Sequence, residues 1–137
     1  MYLTKNFECI FFVEIPGGIL HAVVFEITPS GKINFGYVES ESSQKVILVD
    51  QIGITSQALN FPQEKSQILS LVHIAGSSSL IVFKNRIYLY QAGVLSEPIT
   101  TRENPRGLVS ARFHQDEVMI ATLGANIGSI NVGELTI

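Results

Sequence analysis

Apolar residues along this chain come in short runs separated by turn residues. The runs are rich in Val, Ile, Phe and Tyr, the side chains that suit a pleated, half-buried surface. Strands are expected at Phe7–Ile15, Ile19–Ile27, Val46–Gln51, Ser56–Phe61, Ile68–Ile74, Leu80–Lys84, Arg86–Gln91, Ser96–Thr100, Leu108–His114, Val118–Leu123 and Ser129–Leu135. Arg86–Tyr90 alternates, which puts Ile87 and Leu89 on one face. Leu80–Phe83 is a continuous apolar run, the pattern of a strand covered on both faces. Lys84-Asn85 between these two strands reads as a tight hairpin turn. No long segment carries a 3.6-residue period, so almost no helix is expected. Val94-Leu95 is too short to form one, and Pro98 interrupts the residues after it.

Thr28–Ser43 departs from this pattern. It holds Pro29-Ser30-Gly31 and the polar acidic run Glu39–Ser43, and reads as a long loop insertion with a hairpin tip at Gly31. The candidate inner strands starting at Ile68 and Leu108 lie forty residues apart. That spacing matches the ~40–45-residue period of WD-type propeller blades. No Trp-Asp or Gly-His signature accompanies it, and a β-sandwich gives a similar strand list. The fold class expected is all-β: antiparallel four-stranded meanders forming a partial β-propeller of about two to three blades.

Composition narrows the functional classes. The chain of 137 residues is 46% hydrophobic and 15% charged, so it has a real core to bury. With nine Lys and Arg and a net charge of −3, it carries no basic stripe for nucleic acid. The single Cys9 excludes an internal disulfide and reads as a small core filler in a reducing compartment. No segment approaches the ~20 apolar residues of a membrane-spanning helix. Met1–Asn6 lacks the apolar centre of a signal peptide, so a cytoplasmic protein is expected.

The same residues form no catalytic constellation. His21, His73 and His114 fall on three separate expected strands, and none has a ligand-spaced His, Cys or carboxylate beside it. There is no Gly-x-Ser-x-Gly elbow. Pro16–Gly18 and Gly124–Gly128 are glycine turns that open no helix, so neither makes a phosphate cradle. No enzyme activity, metal or cofactor is implied.

Several segments together resemble the PROPPIN family, the WD-repeat, autophagy-related propellers that bind phosphoinositides. They are Leu59–Pro62 with Ile68-Leu69, Leu80–Phe83 with Arg86–Tyr90, and the handover Ile99–Leu108 with its Asn104-Pro105-Arg106-Gly107 turn. Val118–Gly128 with Ser129–Val132 closes the series. Upstream, Phe12–Ile15, Gly18–Val24 and Lys45–Val49 look like the family's second blade. The resemblance implies one partial propeller domain over 1–137, corresponding to blades two to four. Its first blade is expected near 7–61, its second near 67–100 and an incomplete third near 107–137, with 28–43 as the loop insertion.

The resemblance also implies a function. It points to a non-enzymatic scaffold, cytoplasmic and peripheral to endomembranes. The family's lipid site is a paired-arginine Phe-Arg-Arg-Gly motif after the fifth blade. It has no counterpart in these residues, and Arg102 and Arg106 stand four apart around a proline turn. Phosphoinositide binding is therefore assigned to no residue here. The family takes protein partners in a groove between its second and third blades, often through basic residues. Lys45, Lys84 and Arg86 are the candidates for such a partner site. An open sheet edge and self-association are further routes to a partner. The readings left beside this one are an independent small β-sandwich or barrel that binds a ligand, and a truncated gene fragment.

Overall fold

The computed structural model describes residues 14–40, 42–83, 86–100, 108–114, 117–123 and 130–136, the last three segments as backbone. It is all-β, with no helix among the described residues. Strands β1 (Ile19–Ile27), β2 (Ile33–Glu39), β3 (Ser42–Asp50) and β4 (Thr55–Asn60) form one antiparallel sheet in chain order. Strands β5 (Ser70–Ala75), β6 (Ser78–Val82) and β7 (Arg86–Gln91) begin the second sheet. Both β8 (Val94–Leu95) and β9 (Ile99–Thr100) pair with β7. The third sheet is β10 (Leu108–His114), β11 (Glu117–Leu123) and β12 (Ile130–Thr136). Every sheet follows chain order, so among the described residues there is no Greek-key crossing. Among the described residues no helix is long and apolar enough to cross a membrane.

The structure corrects two elements. In the expected strand Ser96–Thr100 only Ile99–Thr100 is strand, with Val94–Leu95 forming β8 before it. Thr28–Ser43 is not a loop insertion, because it contains β2, an interior strand of the first sheet paired with β1 and β3. Only the expected tip holds. Gly31 sits at φ +86°, where glycine carries no steric cost, and its N–H donates to Thr28 O at 2.8 Å. At its acidic end, Ser40 Oγ donates to Gly17 O. The pattern hid β2 because Asn34 and Gly36 read as loop residues, yet both are buried. The expected strand at Phe7–Ile15 mostly lies outside the described residues, and Glu14 and Ile15 belong to no strand. The turns at Lys84-Asn85 and Asn104–Gly107 also lie outside them.

The first strands of the sheets stand side by side, β1 beside β5 and β5 beside β10. Hydrogen bonds join the first pair of sheets. Ile27 N–H donates to Gly76 O (2.9 Å), Ser77 Oγ to Ile27 O (3.1 Å), and Ser79 Oγ to Phe25 O. Ser77 in the β5–β6 turn and Ser79 on β6 thus satisfy carbonyls that the β1 edge would otherwise leave unpaired.

The main core lies between the first and second sheets. Phe25, Val38, Val46, Leu48 and Leu59 come from one side, and Ile81, Phe83, Tyr88 and Tyr90 from the other. Leu80, Val82, Ile87 and Leu89 fill the second sheet's opposite face. The continuous Leu80–Phe83 run is thus covered on both sides, as its pattern predicts. Phe25 and Tyr90 meet with ring centroids 4.9 Å apart. Behind the Phe25 ring is Gly36, where an added Cβ would stand 2.6 Å from Cδ2.

This contact sets a test. Gly36→Ala forces a fully buried ring to shift, and overpacking of this kind costs about 1–3 kcal/mol. In a urea-unfolding double-mutant cycle, Phe25→Leu should cost less in the Gly36→Ala background than alone. Additive costs would show that the two positions do not share the space.

Candidate interaction groove

Where β4 ends, the chain turns from the first sheet toward the second. Phe61 is buried beneath this turn, and Glu64 N–H closes it by donating to Phe61 O at 3.1 Å. The Phe61 ring packs edge-on against Phe83 and Tyr88, at 5.1 and 4.9 Å. Proline at 62 and exposed Gln63 form the outer surface of the turn. Glu64 then folds back into the protein, with only 8% of its side chain exposed.

A carboxylate so buried needs donors. Glu64 Oε1 accepts from Tyr88 OH at 2.7 Å and from Arg86 Nη1 at 3.3 Å. The Arg86 side chain is 42% exposed, so the ion pair is partly screened and contributes little by itself. The tyrosine supplies the buried bond. Its phenol is held above the usual tyrosine value, first by burial and then by the Glu64 acceptor and its charge, with Arg86 opposing.

Beside this cluster lies a cleft of about 170 Å³. Asn60–Gln63 form one wall, while Tyr88 and Leu95–Pro98 form the other. The second wall is shaped by β8 and β9. Pro98 cannot donate to β7, so the outer strand breaks there and Leu95–Pro98 borders the cleft. Ser96 anchors the segment: its N–H donates to Leu89 O (2.8 Å), and its Oγ accepts from Leu89 N–H (2.9 Å). That hydroxyl also donates to Glu97 O, so it is committed to backbone. The lining is aromatic and aliphatic with a polar rim, and Glu97 is its only charged member. Such a surface holds an apolar side chain and orients its neighbours.

Of the three basic candidates, the two that are described, Lys45 and Arg86, stand on different faces. Lys45 opposes Asn60 in the β3–β4 ladder and shares its side of β3 with Ile47. Val46 and Leu48, on the other side, face the second sheet. Arg86 shares its side of β7 with Tyr88, faces the first sheet and is engaged by Glu64. Lys84 lies outside the described residues. The histidines stand apart on β1, β5 and β10, and His73 Nε2 donates to Gly76 O at 2.9 Å. Among the described residues no group of three His, Cys, Asp or Glu could hold a metal ion. The groove residues Phe61, Tyr88 and Leu95 carry no motif. Phe61 and Tyr88 fall in segments that carry the family resemblance, but only a Phe-Pro pair at a strand end and a proline-broken outer strand hint at the groove itself.

A second buried carboxylate sits deeper between the sheets. Glu26 Oε1 accepts from Asn34 Nδ2 at 2.8 Å and from Tyr90 OH at 3.4 Å. Burial, then the Glu26 charge and hydrogen bond, push the Tyr90 phenol up to about 12.

Both carboxylate clusters are open to test. Tyr88→Phe leaves Glu64 without its buried donor and should cost about 1–3 kcal/mol in chemical unfolding. Arg86→Gln should cost under about 1 kcal/mol. The Glu26 cluster is tested in alkali. The folded protein keeps the Tyr90 proton where the unfolded chain has lost it, so stability is full below about pH 10 and falls as pH rises toward 12. Tyr90→Phe should flatten that decline in a series of unfolding curves. An unchanged slope would contradict the assignment.

Comparison of the chain with family models, with curated proteins and with solved structures finds no match.

Proposed function

We propose that this chain is a non-enzymatic interaction scaffold of PROPPIN-like propeller architecture. It takes an apolar segment of a partner protein in the cleft between its first two sheets. The observation that carries this reading is the cleft itself, lined by Phe61, Tyr88 and Leu95 at the boundary of two neighbouring meanders. Meanders whose first strands stand side by side are also the way propeller blades are arranged. The sequence resemblance aligns the first and second sheets with the two blades between which that family holds protein partners. Partner recognition here rests on apolar burial and not on a basic patch, since Lys45 and Arg86 face different ways. Glu97 at the rim favours a partner with a cation or N–H donor beside its apolar anchor. A cytoplasmic setting at autophagic endomembranes belongs to the same proposal. Lipid is not the expected ligand, because no pair of adjacent arginines offers bidentate phosphate pairing.

Displayed 12-residue peptides selected on the intact chain provide the test, read by fluorescence anisotropy. Selected binders should carry an apolar anchor, and Leu95→Asp should weaken them about tenfold or more. Val94→Asp, a change at a neighbouring exposed position outside the cleft lining, should leave them unchanged. Binding indifferent to Leu95→Asp would overturn the reading. So would saturable binding to phosphatidylinositol 3-phosphate vesicles with no peptide bound.

A further inference from the structure

The turn between β3 and β4 presents two isoleucines to solvent. Ile52 is 78% exposed and Ile54 57%. They are held rigidly. Asp50 Oδ1 accepts from the N–H groups of both, at 3.0 and 2.9 Å. Gly53 N–H donates to Asp50 O, and Asp50 N–H donates to Ile54 O. Gly53 takes φ +85°, which an L side chain resists. A tip ordered in advance can bury apolar side chains elsewhere at small entropic cost.

The strand after this tip is an open edge. Among the described residues β4 pairs only with β3, and four of its first five residues are exposed. Gln51–Asn60 contains no charged residue and no proline, the features by which sheets ordinarily protect an edge. The second sheet's outer edge, by contrast, is two dipeptide strands broken at Pro98. One protective feature is present on β4. The ladder shifts between Leu48 and Val49, making Ser56 a bulge residue and leaving Gln57–Asn60 as the straight stretch.

The apolar tip and the cleft lie at opposite ends of this edge. Ile54 precedes β4, and Asn60–Gln63 of the cleft wall lies at its far end, about 20 Å away along six residues. A copy's own tip cannot reach its own cleft. A second copy running antiparallel along β4 brings each tip to the other's cleft. A two-fold axis through an antiparallel pair requires one residue to face itself. Ala58, small and within the straight stretch, is that residue. With the Ser56 bulge counted as one extra residue, Ile54 then stands opposite Phe61 of the second copy, in the cleft wall. A cavity of ~150 Å³ accommodates benzene, so the cleft is large enough for one isoleucine-sized group.

We infer that the chain self-associates across a two-fold axis by pairing β4 with β4 of a second copy, seating Ile54 of each in the inter-sheet cleft of the other. The absence of charge along Gln51–Asn60 favours a second copy over a charged partner, because self-pairing brings no like charges together. The seating half of this inference rests on the reading of the cleft as a binding site; the edge pairing does not.

Sedimentation velocity of the full chain over a concentration series tests it. A monomer–dimer equilibrium is expected, weakened about tenfold or more by Ile54→Asp and by Leu95→Asp, and unchanged by Val94→Asp. In a Cys9→Ser background, Ala58→Cys should oxidise to a covalent dimer. Residues facing across such a pair have Cα atoms about 4.5–5.5 Å apart, within disulfide reach. Val94→Cys should not. A chain monomeric at every concentration would overturn the inference while leaving peptide binding in the cleft standing. A dimer that cross-links through Ala58→Cys but ignores Leu95→Asp would overturn the seating and remove the support it lends to the cleft.

Discussion

The ring of Phe25 occupies the space between the first two sheets, and Gly36 on the neighbouring strand leaves room for it. Tyr90 closes the other side at 4.9 Å. Around this stack, hydrogen bonds tie the edge of β1 to Gly76 and Ser77 of the β5–β6 turn and to Ser79 of β6. Rings give the contact its area, and the serine and glycine bonds give it a register. With β1 held beside β5, the remaining strands of both meanders extend outward from a shared line, and their facing surfaces form one core.

The groove is a consequence of that geometry. Two sheets joined along their first strands present their last strands at the outer rim. There Phe61 and Tyr88 keep the interior apolar, and the proline-broken end of the second sheet forms a wall. Glu64 is the polar element that fixes this rim. Its carboxylate is buried and takes donors from two residues of β7, which ties the turn after β4 to the second sheet. Glu26 performs the equivalent role deeper in, joining β1, β2 and β7 through Asn34 and Tyr90. Apolar burial brings the sheets together, and the two carboxylates restrict how they can slide.

Much of the fold was legible along the chain, and the exceptions have a physical cause. Strands β1, β7 and β10 begin and end where alternation and turn residues place them. Strand β2 was hidden because its loop-like residues make sense only in three dimensions. Asn34 is in place to donate to Glu26, and Gly36 is small because Phe25 is large. Ser77 in the β5–β6 turn and Ser79 on β6 bond to β1 carbonyls, which no local pattern announces. The groove was less legible still. Phe61 and Leu95 come from different sheets and meet only through the packing between them, so no local pattern marks them. Charge was a poor guide for the same reason. Lys45 and Arg86 are both basic, but strand alternation and the Glu64 partner send them to different surroundings.

The central claim is that the first two meanders are joined face to face through β1 and β5, with Phe25 between them. Nuclear Overhauser contacts in the full-length protein test it most directly. The account predicts cross-peaks from the Phe25 ring to both Gly36 Hα and the Tyr90 ring, and from the Ile27 amide to the Gly76–Ser77 turn. Phe25 contacts confined to its own sheet, with no signal to Tyr90 or to that turn, would contradict it.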